Sequence, residues 1–323
     1  HLQTVLASKA VRVVLAAGDR PVVDFGLRRM HGTDAGIKSA RAFHIAGVAD
    51  TSNVLAGRVY GVPVTGTMAH SYIQAHDSES SAFRAFTRLY PETILLVDTY
   101  DTLEGVRNVV RLAEELGEDF GVRGVRLDSG DLGELAVGAR TILDEAGLEE
   151  VEIFASGGLD EHKIHNLLSD GAPIDGFGVG TGMGVASDAP ALDVAYKLTG
   201  YGGRGRLKLS PGKPILPGPK QIFREEGDGE AVGDTIARAD EDRPGRPLMQ
   251  EVMRDGRRLA AGRVSLDDAR EYAAARIRAL PERLRRNTQA DPPYPVQVSP
   301  GLRELQGEVE RWARDRKGDL HDS

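Results

Sequence analysis

Short apolar runs alternate along this chain with longer stretches of helical period. Six runs rich in β-branched and small apolar residues stand out: "PVVDF" ending at Phe25, "VPVT" ending at Thr65, "TILLVD" ending at Asp98, "GVRL" ending at Leu127, "VEIFA" ending at Ala155 and "DGFGVG" ending at Gly180. Between them lie segments such as "TLEGVRNVVRLAEEL" and "LGELAVGARTILDEAG", whose apolar positions recur at helical spacing. This alternation predicts βα units around a parallel sheet. Such a succession closes most naturally into a barrel, with an open doubly wound sheet as the alternative.

After Gly205 the texture changes. "LKLSPGKPILPGPKQIFREEGDGEAVGD" and then "RPLMQEVMRDGRRLA" are rich in Pro, Gly and short alternating runs. The chain therefore divides into an α/β body over residues 1–204 that carries the site, a smaller β-rich region over 205–265, and a C-terminal helix with a charged tail over 266–323. His1 already lies inside an amphipathic helical pattern, and a preceding segment is expected.

Composition narrows the classes of function. The 323 residues, 40% hydrophobic and 28% charged, suffice for one large α/β domain with a smaller appendage. A formal net charge of −8 argues against nucleic acid as a partner, because binding phosphate chains needs clustered cationic surface. Small phosphorylated ligands remain compatible. The absence of cysteine excludes disulfides, thiolate metal sites and cysteine nucleophiles, and fits a cytoplasmic protein. No apolar run reaches the length of a membrane span and no signal peptide is visible, so no membrane partner is expected.

Reactive side chains fall where such folds build sites, on the loops after the strands. "FGLRR" follows the first strand, His70 in "TGTMAHS" follows the second, and Asp98 ends the third. "RLDSGD", "ASGGLD" and "GVGTGM" follow the last three, and the glycine-rich pair offers backbone N–H groups that can cradle a phosphate. Taken alone, His70 reads as a structural or solvated histidine; its position at a strand end makes it a candidate. Asp131 with Glu134 and Asp101 with Glu104 have capping-box spacing and are expected to cap helices. Asp98 and Asp128 have no such role and are candidates. His162 and His165 stand three apart on a predicted helix but lack a third ligand for zinc.

The series "DFGLRRMHGTDAG", "TSNVLAG", "VPVTGTMAHS", "RLDSGDL", "ASGGL", "GVGT" and "KLSPGKPILPGPKQIFR" resembles the nicotinate phosphoribosyltransferase family over residues 1 to about 255. The resemblance implies an irregular parallel α/β barrel of the type II phosphoribosyltransferase kind, joined to a β-rich domain, in a head-to-tail homodimer. It implies synthesis of nicotinate mononucleotide and pyrophosphate from nicotinate and phosphoribosyl pyrophosphate, with coupled ATP hydrolysis, in NAD biosynthesis. His70 would then be the residue ATP phosphorylates, with Asp98 as the acceptor orienting its ring. Phe25 would stack on the pyridine and Arg28 meet the carboxylate, with Arg29 facing outward. Ser52, where nicotinamide-using relatives carry an aspartate, would favour the acid over the amide.

By the same resemblance Arg126 and Asp128 bind the ribose and pyrophosphate, and Ser156, Gly157, Gly158, Gly180 and Thr181 hold the 5′-phosphate. Mg2+ accompanies the pyrophosphate, with ligands not assigned. The chain departs from the family in lacking its N-terminal segment of about a hundred residues, which carries a "TDxYxxTM"-like motif, and in having "GKPIL" where "GKxTL" is usual. Two other readings stand beside this one: a different phosphate-handling barrel enzyme, against which the lysines avoid strand ends, and a non-catalytic barrel that only binds phosphorylated sugar.

Overall fold

The structure, a computed structural model, describes residues 1–210 and 215–318. The "GKPIL" departure therefore falls largely outside the described residues. The chain forms two compact units, one of residues 1–192 with 266–274 and the other of residues 193–265 with 275–323. The first unit ends at Leu192, ahead of the change in texture after Gly205; residues 193–199 form no helix or strand of their own and carry no periodic signal.

The first unit is built on a parallel six-stranded sheet, an irregular, curled α/β half-barrel. Its strands are β1 (Val22–Asp24), β2 (Asp50–Thr51), β3 (Ile94–Leu96), β4 (Gly124–Leu127), β5 (Glu152–Ser156) and β6 (Gly176–Val179), in the order β2-β1-β6-β5-β4-β3. Every residue of β1 and β6 is buried, as expected for strands covered on both faces. Around the sheet lie helices α1 (Leu2–Ala17), α2 (Thr33–Ala46), α3 (Val54–Tyr60), α4 (His70–Gln74), α5 (Glu79–Leu89), α6 (Thr102–Leu116), α7 (Leu132–Glu145), α8 (Glu161–Ser169) and α9 (Thr181–Val185). Helix α6 is typical of how they form. Asp101 accepts from the Glu104 N–H at its start, and Val106, Val109 and Leu112 recur at helical spacing to bury one face. Asp131 caps α7 in the same way, accepting from Gly133 and Glu134. Phe43, Phe83 and Phe177 are among the largest fully buried side chains of the core.

One expected strand is absent. "VPVT" is not a strand: Val64 makes only an isolated bridge to Thr51, and the ladder position belongs to Asp50–Thr51, beside β1. Pro63 explains this, since it has no N–H to donate to a ladder; its carbonyl accepts from Thr51 while Thr65 donates back to the Thr51 carbonyl. From there the chain runs across the carboxyl ends of the strands. Thr67 reaches Arg126 of β4, and His70 reaches Thr99 just beyond β3. Sheet edges β2 and β3 are thus linked by a crossing segment rather than by a ladder.

The second unit is antiparallel in its main part. Strands β7 (Gly200–Tyr201) and β8 (Arg204–Gly205) form a small hairpin, and β9 (Lys220–Gly227) pairs with β10 (Glu230–Arg238). β11 (Arg246–Pro247) flanks β9, β12 (Met253–Arg254) pairs with β13 (Arg257–Arg258), and β14 (Val296–Val298) flanks β10. Arg224 grips Asp234 through two hydrogen bonds of 2.8 and 2.9 Å, and the Tyr294 hydroxyl donates to the same carboxylate. The expected C-terminal helix is α10 (Leu266–Arg278), whose residues 266–274 belong to the first unit; after a break at Pro281 comes the short α11 (Glu282–Arg285). The stretch read as a charged tail holds α12 (Pro300–Gly318), on which Leu302 and Val309 are buried.

Candidate functional site

A cleft of about 770 Å3 opens at the carboxyl ends of the strands. Phe25, Arg28, Arg29 and Ser52 come to it from β1 and β2, Thr67 and Met68 from the crossing segment, and Arg126 and Asp128 from β4. Ser156, Gly157 and Gly158 follow β5, and Gly180 and Thr181 follow β6. Of the residues expected to form the site, all but His70 and Asp98 line this one cavity.

The phosphate-like side is made of backbone. Gly157 has φ +96°, and a Cβ there would lie 1.8 Å from the Asp128 carbonyl oxygen, so the β5 turn closes on the β4 turn only with glycine. Ser156 is buried and donates to Asp128 Oδ1 at 2.5 Å, locking the two turns together. Lys163 of α8 donates to the Gly158 carbonyl at 2.7 Å. After β6, Thr181 opens α9, whose first N–H groups have no acceptor within the helix.

The opposite side is made of side chains. Leu27–Arg29 form a single 3-10 turn, so Arg28 and Arg29 stand exposed, and both border the cleft. Arg29, expected to face outward, is exposed and also borders the cleft. The Arg126 guanidinium lies 5.4 Å from the centroid of the Phe25 ring and donates to Thr67 Oγ1 at 2.6 Å, while its Nε is buried without a partner. Burial pulls Arg126 below its ordinary pKa, against Asp128 and Asp98, which favour its charge; nearby Arg28 adds to the lowering.

His70 begins α4, half-exposed, and faces Asp128, which links it to the cleft. Its Nε2 lies 3.6 Å from Asp128 Oδ2 and 3.9 Å from Asp98 Oδ1, while Nδ1 meets Thr99 Oγ1 at 3.1 Å. The hydrogen-bond partner of the ring is therefore Thr99 and not Asp98, whose carboxylate lies beyond hydrogen-bond reach of the imidazole. Asp98 is fully buried. Its Oδ2 accepts from the Asp128 N–H at 3.1 Å and from Ser129 Oγ at 2.5 Å, and its Oδ1 has no partner. Asp98 shapes the β4 turn as much as it faces the histidine.

Sequence reasoning missed Thr67, Thr99 and Asp24. Nothing in "TGTMAHS" reveals that Thr67 crosses to β4. Asp24, however, ends a strand just as Asp98 follows one, and the same signal would have found it. It is buried, with burial raising its pKa against hydrogen bonds from Thr51 and Gly26. Among the described residues no group of three or more His, Asp or Glu side chains is arranged to hold a metal ion, and no helix is long and apolar enough to cross a membrane.

Comparison with known proteins matches this geometry. Residues 21–221 match the family model described as nicotinate phosphoribosyltransferase (NAPRTase), and residues 244–306 match its C-terminal domain. Nicotinate phosphoribosyltransferase pncB2 of Mycobacterium tuberculosis is 59% identical over 299 residues, covering 93% of this chain and 65% of that protein. Nicotinate phosphoribosyltransferase of Bacillus subtilis is 43% identical over 250 residues, 75% of this chain and 51% of that one. The chain thus spans less than two thirds of the length of these relatives. Among solved structures, human nicotinic acid phosphoribosyltransferase superposes with a TM-score of 0.82 at 27% identity, over 95% of this chain and 74% of the human one. A nicotinate-nucleotide pyrophosphorylase from Pyrococcus furiosus does so with 0.73 at 28% identity, over 86% and 70%. With the family's model matched across the strands and loops that build the cleft, the chain belongs to the nicotinate phosphoribosyltransferase family.

Proposed function

We propose that this chain carries the active site of a nicotinate phosphoribosyltransferase, which forms nicotinate mononucleotide and pyrophosphate from nicotinate and phosphoribosyl pyrophosphate, driven by ATP through a phosphohistidine at His70. The observation that carries this reading is that one cleft joins glycine turns suited to a phosphate with an aromatic ring and exposed guanidiniums suited to an aromatic acid.

In this reading the pyridine ring stacks on Phe25, and its carboxylate meets the Arg28 fork. Ser52 keeps the base pocket free of a carboxylate that would repel the acid. The 5′-phosphate sits on the Ser156–Gly158 turn and at Gly180–Thr181, while Arg126 and Asp128 hold the ribose and pyrophosphate. The pyridine nitrogen attacks the anomeric carbon, and pyrophosphate leaves with the electron pair of the broken C–O bond. Arg126, half-enclosed and still charged, offsets the negative charge developing on that leaving group. At His70, the Thr99 hydroxyl on Nδ1 leaves Nε2 as the nitrogen open to a phosphoryl group.

Magnesium would reach the site on the pyrophosphate and neutralise part of its charge. Asp128, the carboxylate bordering the cleft, suits an ion held mainly by substrate oxygens rather than by a protein cage. A homodimer and a cytoplasmic location complete the proposal, on the strength of family membership and the absence of cysteine.

The test incubates the chain with labelled ATP, magnesium, nicotinate and phosphoribosyl pyrophosphate. An acid-labile, base-stable phosphate on the protein, absent in His70→Asn, together with nicotinate mononucleotide, is the expected result. Label that persists in the variant refutes the role of His70. Because the chain spans 65% of its mycobacterial relative, a second reading is kept: binding of the phosphorylated sugar without turnover would favour a binding module.

A further inference from the structure

Behind the side-chain wall of the cleft lies a line of three buried polar residues that none of the proposed chemistry uses. Asp24, Thr51 and Asn53 are 1%, 3% and 2% exposed. Asp24 Oδ1 accepts from the Gly26 N–H at 2.7 Å, and Oδ2 accepts from Thr51 Oγ1 at 2.7 Å. Thr51 Oγ1 in turn accepts from the Asn53 N–H at 3.1 Å. The Asn53 amide donates to the Gly36 carbonyl of α2 and accepts from the Ala56 N–H of α3, each at 3.1 Å. The main chain repeats the connection, because Ser52 N–H donates to the Asp24 carbonyl at 2.9 Å.

A carboxylate this deep, with no cation among the described residues hydrogen-bonded to it, is an expensive way to join two strands. Apolar packing would hold β1 against β2 at lower cost, as it does elsewhere in this core. What the carboxylate adds is direction. One oxygen fixes the turn from Phe25 to Arg29 at its hinge, and the other fixes the segment that presents Ser52. Residue 26 lies close against the same group: a Cβ on Gly26 would lie 2.9 Å from Asp24 Oδ1 and 2.8 Å from Met30 Cε, so a side chain there would have to displace the carboxylate and the methionine tip. The two segments so joined carry Phe25, Arg28 and Ser52, the residues given to the base in the reading above.

We infer that Asp24, acting through Gly26 and Thr51, is a positioning residue that sets the spacing and orientation of the base-binding wall. The inference rests on that reading of the wall as the nicotinate site. The glycine turns of the opposite wall hang from β5 and β6; β6 pairs with β1 through the main chain, but among the described residues no side chain of this network bonds to those turns, so their ligand should be much less sensitive to it. The signature is therefore a split between two substrates rather than a general loss.

The experiment measures nicotinate and phosphoribosyl pyrophosphate binding separately by calorimetry, on the unaltered chain and on Asp24→Ala, Asp24→Asn and Thr51→Val. Leaving the buried Gly26 N–H without an acceptor should cost Asp24→Ala roughly tenfold or more in nicotinate affinity, against less than about threefold for the phosphorylated sugar. Asparagine keeps the shape and one acceptor oxygen, and can donate to Thr51 Oγ1, so Asp24→Asn should recover most of the loss. Thr51→Val removes both bonds of that hydroxyl, to Asp24 and from the Asn53 N–H, while preserving volume. If Asp24→Ala fails to fold, this variant decides the matter by the same split of roughly tenfold against threefold.

Equal losses for both ligands, in proportion to a fall in Tm, would mean a merely structural role and overturn the proposal, as would nicotinate affinity unchanged in all three variants. Failure of the unaltered chain to bind nicotinate at all would instead overturn the functional reading, an outcome distinct from unaltered binding by the variants.

Discussion

The two walls of the cleft are built of different material. Along β5 and β6 the chain offers backbone: Gly157, Gly158 and Gly180, with Ser156 turned inward to Asp128. Along β1 and β2 it offers side chains: a phenyl ring, two guanidiniums without partners among the described residues, and a serine. A backbone wall presents donors at positions fixed by the fold and recognises what every phosphorylated ligand shares. A side-chain wall can be changed one residue at a time without moving the sheet, so it is the place where one aromatic ligand is told from another. The first should therefore be intolerant of change and unselective. The second should be tolerant in stability and decisive in selectivity.

Gly157→Ala should break the backbone wall with the largest effect. The added methyl needs a left-handed backbone that alanine resists, and it runs into the Asp128 carbonyl, which belongs to the next strand's turn. A loss of about 3 kcal/mol or more is expected, visible as a fall in denaturation midpoint together with loss of phosphoribosyl pyrophosphate binding. Stability within half a kcal/mol of the unaltered chain would show that the backbone wall yields as readily as the side-chain wall.

Arg28→Ala should leave the fold untouched, because the side chain is exposed on a one-turn helix and touches no charged partner that it would strand. Its effect belongs to the ligand. The nicotinate KM should rise on the order of a hundredfold as the carboxylate loses its fork, with the phosphoribosyl pyrophosphate KM changing by less than about threefold. Kinetics with each substrate varied in turn would check this. A comparable rise for both would mean that Arg28 serves the phosphates, and the two walls would no longer divide the substrates between them.

The two walls were also unequally legible in the sequence. "ASGG" and "GVGT" announce themselves because glycine is chosen for backbone reasons, and backbone geometry is local. GVRL was found to the residue as a short run between turns. The side-chain wall was found only in its outward members. Phe25, Arg28 and Ser52 could be named, but Asp24 joins Thr51 across strands 27 residues apart, and no window along the chain shows that. "VPVT" misled because its composition is strand-like while the ladder position had already been taken by two residues, Asp50 and Thr51, too few to carry a pattern. In the second unit, Leu302 and Val309 do repeat at helical spacing, yet the density of charge around them in "LRELQGEVERWARD" hid α12 in an apparent tail.

The smallest effect concerns pH, and it turns on the absence of a cation partner for the carboxylate behind the side-chain wall. Burial raises the Asp24 pKa above the ordinary 3.8, whereas Asp234 in the second unit, gripped by Arg224, is held below it. The signs are opposite. A carboxyl with a raised folded pKa contributes stability that is fully present below pH 3.8 and is lost as pH rises through the folded value. One with a depressed pKa contributes stability that is present above pH 3.8 and is lost as pH falls through its folded value. The Tm of the unaltered chain minus that of Asp24→Asn should therefore be greatest in acid and shrink as pH climbs above 3.8, by a few degrees at most. The same difference for Asp234→Asn should be smallest in acid and grow with pH. Thermal melts of the three proteins between about pH 3 and pH 7 would check both slopes, within the range that carboxyl titration covers. Parallel slopes would mean that Asp24 is stabilised as an anion by a charge from the cleft side, and that the side-chain wall is held by ion pairing rather than by directed hydrogen bonds.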